Sequence, residues 1–273
     1  MTRASWPRGS WGLLALVLLV GMGPWLWSTS PTAIDLAHVG AGPSLAHPLG
    51  TDETGRDVLS RVLGGGRITL AVALLAMATA IALGSLVGGI AGFRGGRVDA
   101  ALMRFVDAAL AVPALLIAIC LLAFVGPGLA SVVVAIGLTT WMPAARVVRG
   151  EVARLRRETY IEAASALGAT APRILWLHVA PQVAPILVVT ATLAVATAIL
   201  TEAALSFLGL GIQPPTPSWG NMLSGAQGTL STYPWLAIVP GLLILLSVAA
   251  VNTVAESLRA QRTTHSPADH PLP

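Results

Sequence analysis

The chain alternates between long uncharged apolar runs and short polar segments that carry most of its charge. A helix needs about 20 apolar residues to cross the core of a bilayer. Six runs approach this length, and we predict a membrane-spanning helix in each. The predicted spans are Trp11–Trp27, Ile68–Phe93, Phe105–Val125, Leu129–Val147, Val183–Leu200 and Trp235–Val254. The pattern therefore predicts an all-α membrane protein with six transmembrane helices.

Composition agrees with this pattern. Hydrophobic residues make up 55% of the 273 residues, charged residues 10%, and the mean hydropathy is +0.78. Soluble domains carry roughly a quarter of charged residues. These values exclude an ordinary soluble protein.

The first predicted span has two interpretations. Arg3 and Arg8 precede it, as the basic residues of a secretory signal peptide would. Its end, residues 25–28, lacks an Ala-x-Ala cleavage site and carries tryptophans of the kind found at membrane interfaces. We therefore expect a retained anchor helix, with cleavage left open.

The arginines indicate the orientation. Thirteen of the sixteen fall on one side of the six predicted spans, and only Arg56, Arg61 and Arg67 fall on the other. Basic residues are enriched on the cytoplasmic side. We expect both termini in the cytoplasm, with the loops 28–67 and 206–234 outside. The net charge of +4 then reflects membrane topology and not a nucleic-acid partner.

Lysine is absent from the chain. A Walker-type phosphate loop ends in Gly-Lys-Ser/Thr, and Schiff-base chemistry requires an amine. Both are therefore excluded for this chain alone. The single cysteine, Cys120, likewise excludes an intramolecular disulfide.

The loop 150–182, predicted to be cytoplasmic, contains a helix-turn-helix pattern. Gly168 can end a first helix in the left-handed conformation, Thr170 can cap a second, and Pro172 fits its first turn. A solvated linker with an incidental amphipathic pattern stays possible at this point. The apolar stripe of the first helix consists of Tyr160, Ala163, Ala164 and Leu167.

The same loop carries a resemblance to a known family. Glu162-Ala163-Ala164, followed by Gly168 and by Pro181 ahead of a span, resembles the EAA loop of ABC importer permeases. The pattern from Tyr160 to Gly168, followed by His178-x-x-Pro181, resembles the form found in dipeptide, oligopeptide and nickel importers.

Three further stretches resemble the second, C-type permease subunit of those importers. They follow one another in the family's order, each on its predicted side of the membrane. The stretches are 47–61 (from His47-Pro48-Leu49-Gly50), 92–107 (with Gly92, Asp99 and Asp107) and 202–222 (with Glu202, Phe207, Gly209, Gly211 and Trp219).

The resemblance implies the type I ABC importer permease fold in a bacterial inner membrane. It also implies four kinds of partner: a second, homologous permease forming a heterodimer, two cytosolic ATPases, an external substrate-binding protein and membrane lipid. We expect no cofactor in this chain, with ATP and magnesium bound by the ATPases. The implied cargo is di- or oligopeptides, with nickel or glutathione as alternatives.

Several residues receive expected roles. Glu162 would make a charge-assisted contact with the ATPase or with its own loop, Gly168 would fix the angle of the coupling helix, and His178 would hold the loop to the fifth span. The glycines Gly84, Gly88 and Gly92, spaced by four residues, predict close helix packing.

On the outer side, Glu202 is expected to hydrogen-bond the backbone of the turn from Ser206 to Gly211, with an outer gate as the alternative. His38 and His47 show no recognisable metal spacing. We therefore interpret them as ordinary loop residues and expect no metal site.

The predicted organisation has three parts. Residues 1–67 form an anchor helix and an external loop, 68–257 form the permease core with coupling loop 150–182, and 258–273 form a disordered cytoplasmic tail.

Two other classes of membrane protein stay open. An intramembrane enzyme would need a nucleophile paired with a histidine, or paired acids, within the spans, and a channel or secondary transporter would show related halves.

Overall fold

The computed structural model describes residues 8–263, within which all regular structure is helical. The predicted all-α class is confirmed. Short 3₁₀ helices cover Leu36–His38 and Gln227–Thr229, and a π-helical turn covers Leu175–Val179. The α-helices of this range are α1 (Arg8–Leu26), α2 (Val58–Arg94), α3 (Gly96–Leu110), α4 (Ala114–Val125), α5 (Leu129–Leu155), α6 (Thr159–Ala166), α7 (Ala171–Ile174), α8 (Ala180–Phe207), α9 (Trp219–Gly225) and α10 (Trp235–Thr263).

Fewer helices than predicted are long and apolar enough to cross a membrane. Within residues 8–263 there are four: α2, α5, the continuous run Ala171–Phe207 and the Trp235–Ala260 part of α10. The bent pair of α3 and α4 becomes a fifth if it is counted as one span. The described part of α1 adds a shorter apolar stretch, Trp11–Gly23.

The predicted span Phe105–Val125 is wrong as a single helix. It is divided between the end of α3 and the whole of α4, which are bent by 83° relative to each other. The cause is Pro113, which has no N–H and disfavours helical geometry at the residue before it. Apolar residues continue through the bend, so hydropathy alone did not locate it.

The second span begins earlier than predicted. Asp57 caps α2, and its carboxylate accepts a hydrogen bond from the Ser60 amide at 2.7 Å. Such a cap satisfies a backbone donor that has no partner within the helix. The helix therefore begins at Val58 and not at Ile68, so its first residues precede the apolar run.

The predicted boundary of the C-terminal tail also changes. α10 continues to Thr263, so residues 258–263 are helical and not disordered. The segment consists mostly of good helix formers, namely Leu, Arg, Ala and Gln. The helix therefore continues beyond the end of the apolar run. The remainder of the predicted tail, 264–273, lies outside the described residues.

The core lies where α2, α5, α8 and α10 meet, and it includes Val72, Ile136, Ile199 and the fully buried Trp219. α1 joins this core through Leu16 and Val20. Arg67 of α2 donates a 3.2 Å hydrogen bond to the Val20 carbonyl. Large apolar side chains elsewhere on the helices point away from the core, as contact with hydrocarbon requires.

Three of the glycines of α2, Gly84, Gly88 and Gly92, face α5 and leave no room for a β-carbon. Substitution at any of them would force the two helices apart or distort their backbones. The nearest side-chain atom of α5 to such a β-carbon would be Ala144 Cβ at 2.6 Å for Gly84, Val148 Cβ at 2.9 Å for Gly88 and Val152 Cβ at 2.9 Å for Gly92.

Candidate functional site

The loop between α5 and α8 begins with the short helix α6, which a glycine terminates. Gly168 has a φ of +84°, a conformation that L-residues with a side chain rarely adopt. Its amide donates to the Ser165 carbonyl at 3.0 Å, and the Ala169 amide donates to the Ala164 carbonyl at 3.0 Å. This pair of bonds is the Schellman motif, which satisfies the last carbonyls of a helix.

α6 has one buried and one exposed side. Ile161 is buried in a small cluster with Val152, Leu155 and Ile174. The stripe predicted from the sequence lies largely on the exposed side, since Tyr160 is 46% exposed and Leu167 is 89% exposed. An exposed apolar stripe on a helix anchored from behind is suited to contact with another protein.

The second helix of the pattern is continuous with the following membrane span. α7, the π-helical turn and α8 follow one another without a break, forming a continuous helical run from Ala171 to Phe207. Thr170 occupies the N-cap position, as predicted. Its side chain makes no capping hydrogen bond, so the expected side-chain cap is absent. Pro172 lies in the first turn of α7, and Pro181 lies in the first turn of α8. A displacement of the loop would therefore be transmitted along one rod into the membrane span.

His178 lies within the π-helical turn and is half-buried. Its ring meets that of Tyr160 edge to face, with ring centroids 6.5 Å apart. The contact joins α6 to the base of α8, where the sequence predicts that His178 holds the loop.

Glu162 lies on the exposed surface of α6, and its carboxylate has no hydrogen bond or ion pair within residues 8–263. It lines a groove of about 530 Å³ together with Arg156 and Phe93. The groove runs between the loop and the C-terminal end of α2. The carboxylate is thus available for a charged group of a partner.

Two ion pairs attach α3 to the C-terminal half of α5. Arg149 Nε lies 2.9 Å from Asp99 Oδ1, and a second bond joins its guanidinium to the other carboxylate oxygen. Arg146 Nη2 lies 2.5 Å from Asp107. In the sequence, these four residues indicate only topology or a family motif. The pairing was missed because the partners are 39 and 50 residues apart.

On the opposite side of the molecule, Glu202 is fully buried and tied to side chains of two helices. It accepts hydrogen bonds from Thr69 at 3.1 Å and from Ser206 at 2.7 Å. The Ser206 hydroxyl in turn accepts from the Ile212 amide at 3.0 Å. The expectation that Glu202 bonds the backbone of this turn is therefore corrected, because the hydroxyl of Ser206 lies between them.

The neighbouring motif residues pack around the same end of α8. Trp219 donates its indole N–H to the Val62 carbonyl at 2.9 Å. Gly209 has a φ of +78°, and a β-carbon on Gly211 would lie 2.6 Å from the Ser206 amide nitrogen. Phe207 is 42% exposed and lies at the end of α8, outside this buried network.

The loop between α1 and α2, named the outer loop after its predicted location, contains charged groups whose pairing the sequence does not indicate. Asp57 accepts a 2.8 Å hydrogen bond from His47, and Asp52 pairs with Arg56 at 2.8 Å. Burial raises the pKa of the Asp52 carboxyl, but hydrogen bonds, first from Thr54 and then from the Arg56 amide, outweigh this effect and hold that pKa below its usual range. Asp35, His38 and His47 also come together, a proximity that the spacing of His38 and His47 in the sequence does not indicate.

Comparison with known proteins identifies the family. Residues 81–261 match the family described as binding-protein-dependent transport system inner membrane component. The chain belongs to this family. The permease is therefore a multi-pass inner-membrane component and not itself an enzyme, and the ATPase with which it works is a separate subunit.

Curated relatives cover most of the chain. The oligopeptide transport system permease protein OppC of Bacillus subtilis is 38% identical, over 91% of this chain and 82% of its own. The glutathione transport system permease protein GsiD of Pectobacterium atrosepticum is 39% identical, over 90% and 83%. The dipeptide transport system permease protein DppC of Alkalihalophilus pseudofirmus is 38% identical, over 90% and 81%. The resemblance to C-type permease subunits is confirmed.

A solved structure agrees on the fold. An inward-facing form of the MetNI methionine ABC transporter superposes with a TM-score of 0.58 at 19% identity, over 73% of this chain and 95% of that one. The predicted type I importer permease fold is confirmed. The intramembrane enzyme and the self-sufficient transporter are set aside by the family membership.

Proposed function

We propose that this permease forms half of the translocation path of an ATP-driven importer for di- and oligopeptides. The names of the relatives OppC and DppC support the cargo. Glutathione, carried by the relative GsiD, is itself a short peptide and stays the second candidate. Nickel remains a further alternative from the sequence, and no observation on this chain favours it.

The proposed partners are a second, homologous permease, two cytosolic ATPases and an external binding protein. ATP and magnesium are bound by the ATPases, because this chain contains no lysine for a phosphate loop. Both termini are cytoplasmic in this proposal, which the excess of arginine around α6 supports.

The observation that carries the coupling role is the construction of α6. Ile161 anchors one side of the helix, the Gly168 cap fixes its end, and the side with Tyr160 and Leu167 stays exposed. In the proposal, the ATPase receives this side and displaces α6 as a rigid element. The helical run that begins at Ala171 carries the displacement into the membrane, where the spans change between inward-open and outward-open arrangements.

The test replaces the glycine that ends α6. Gly168→Asp places a β-carbon in the left-handed region, which costs roughly 1–2 kcal/mol, and adds a charge beside the docking side. We expect peptide uptake and substrate-stimulated ATPase activity to be lost, with membrane insertion unchanged. Uptake of labelled peptide in a null strain and ATPase activity of the reconstituted complex measure both effects. Glu162→Ala is expected to act in the same direction.

Gly150→Asp is the matched control. Gly150 lies in α5, on the same side of the membrane in this proposal, with an ordinary helical backbone and open space for a β-carbon. It should retain uptake. Normal uptake by Gly168→Asp would contradict the coupling role of α6, whereas loss in both variants would show only that an added charge in this region is harmful.

The cargo is tested separately. The null strain carrying the intact chain takes up labelled dipeptide, hexapeptide, glutathione or Ni²⁺, each challenged with an excess of the others. Uptake of dipeptide and hexapeptide supports the proposal. Exclusive uptake of glutathione or Ni²⁺ would replace the cargo while leaving the coupling role intact.

A further inference from the structure

Three side chains of metal-ligating type meet in the outer loop. Asp35, His38 and His47 each offer one ligand atom, and these atoms lie within 4.8 Å of one another. The two imidazole rings have centroids 5.7 Å apart. The chain turns back between the two histidines, so their separation in sequence gives no sign of this proximity.

Hydrogen bonds between segments of the loop hold the three residues in place. The Asp35 amide donates to the Gly55 carbonyl at 3.0 Å. Thr51, which is fully buried, receives the Ala41 amide on its hydroxyl at 2.8 Å and donates that hydroxyl to the His38 carbonyl. The cluster is therefore built into an ordered loop before any ligand binds.

His47 already has the outer partner of a metal ligand. Its Nδ1 lies 2.8 Å from Asp57 Oδ2, and the Asp57 side chain is only 1% exposed. A carboxylate can only accept, so Nδ1 carries the proton and the lone pair of Nε2 is free. Metal-binding histidines typically donate their second nitrogen to a carboxylate in this way.

Asp35 and His38 supply the other two ligands. Asp35 Oδ2 lies 2.7 Å from His38 Nδ1, while its other oxygen accepts from the Ala37 amide at 3.0 Å. A metal ion between Oδ2 and Nδ1 would take the place of the shared proton, which leaves to solvent. The two side chains are 44% and 58% exposed, which gives them room to adjust to ligand separations of roughly 3.3 Å around a tetrahedral ion.

We propose that Asp35, His38 and His47 form a binding site for a divalent transition-metal ion of the zinc type, with Asp57 orienting His47. Two imidazoles and one carboxylate suit zinc and its neighbours, whereas magnesium and calcium prefer oxygen ligands alone. Three protein ligands leave a coordination position for water. The bound ion would fasten the loop to the first turn of α2, because Asp57 also caps that helix.

The nearby arginines do not oppose a cation strongly. Arg56 and Arg61 both pair with Asp52, at 2.8 and 3.5 Å. Their charge is thereby partly compensated before it acts on the three ligands.

The experiment is a Zn²⁺ titration of the full chain, purified in detergent with a tag free of histidine and stripped of metal. We expect one Zn²⁺ per chain against a competing chelator, and a rise in the midpoint of thermal unfolding. Replacing Zn²⁺ by Co²⁺ should give the visible absorption of a tetrahedral site. Absence of stoichiometric binding by the parent chain would overturn the proposal without reference to any variant.

Variants locate the site. His38→Ala combined with His47→Ala should abolish stoichiometric binding, and Asp57→Asn should weaken it roughly 10- to 100-fold. His178→Ala, and His265→Ala with His270→Ala, are the matched controls and should bind as the parent does. Binding that survives the first double variant, or that disappears with a control, would place the metal elsewhere and contradict the proposal. Transport is not measured, so this result is independent of the proposed cargo.

Discussion

Single β-carbons decide how closely α2 approaches α5. Gly88 faces α5, and a β-carbon there would lie 3.0 Å from the Arg149 amide nitrogen, a backbone atom that cannot turn away. Gly89, the next residue, has nothing within 4 Å of such a carbon. The two positions share a helix and a depth, and they differ only in the neighbour that they face.

Gly88→Ala and Gly89→Ala therefore test the packing as a matched pair. Overpacking typically costs about 1–3 kcal/mol, so Gly88→Ala should lower the midpoint of thermal unfolding in detergent. Gly89→Ala should leave it unchanged or raise it, because alanine is favoured over glycine in a helix by up to about 1 kcal/mol. Equal midpoints for the two variants would contradict the close approach of α2 and α5.

At the scale of helices, the run from Ala171 to Phe207 has to act as one rigid rod if α6 is to move the membrane span. Its weakest section is the π-helical turn, where Trp176 is 77% exposed and Leu177 is 60% exposed. Neither side chain belongs to the buried cluster behind α6. Backbone stiffness at these two positions can therefore be varied with little change in packing.

Trp176→Gly combined with Leu177→Gly should uncouple the loop from the span. Two glycines in place of two alanines disfavour the helix by up to about 2 kcal/mol, a factor of about 30 in the population of the intact rod. The corresponding double alanine variant loses the same side chains but keeps the helix. We expect the glycine variant to lose substrate-stimulated ATPase activity and uptake, and the alanine variant to retain most of both. Equal activities would indicate that the rod is not what transmits the movement.

The sequence predicted most of the membrane spans but missed a bend and two helix ends, and the reason is physical. Apolar runs report which residues enter an apolar layer, so α2, α5, α8 and α10 were found, and Gly168 was recognised from its conformational freedom. A bend inside an apolar layer leaves hydropathy unchanged, so the break at Pro113 was missed. Caps and polar extensions lie outside the layer, so the true ends of α2 and α10 were missed as well.

Contacts between distant residues were the part that the sequence could not provide. Glu202 and Thr69 are 133 residues apart, and Arg149 and Asp99 are 50 apart. No local pattern connects such pairs, because they meet only once the helices have packed. The same reason explains why the two histidines interpreted as ordinary loop residues lie close together, with ring centroids 5.7 Å apart.

At the scale of the whole molecule, two groups of charged residues lie at different places in the fold. The group around α6 is mostly arginine, and the group in the outer loop combines Asp52 and Asp57 with Arg56 and Arg61. The proposed orientation places the first group in the cytoplasm, facing the ATPases, and the second outside, facing the binding protein. One exposed residue near each group can serve as a labelling position for the orientation. Leu45 is 102% exposed and Leu167 is 89% exposed.

Single cysteines at these positions test the orientation. Cys120, the only cysteine of the chain, is first changed to Ser, and Leu45→Cys or Leu167→Cys is then introduced. A membrane-impermeant maleimide added to intact spheroplasts should label the variant at position 45, and the variant at position 167 only after permeabilisation, while the cysteine-free parent stays unlabelled. The reverse pattern would invert the topology and remove the basis for coupling through α6. With the orientation as proposed, binding of the ATPases should also slow labelling at position 167 in permeabilised cells, because the exposed stripe of α6 would then be covered.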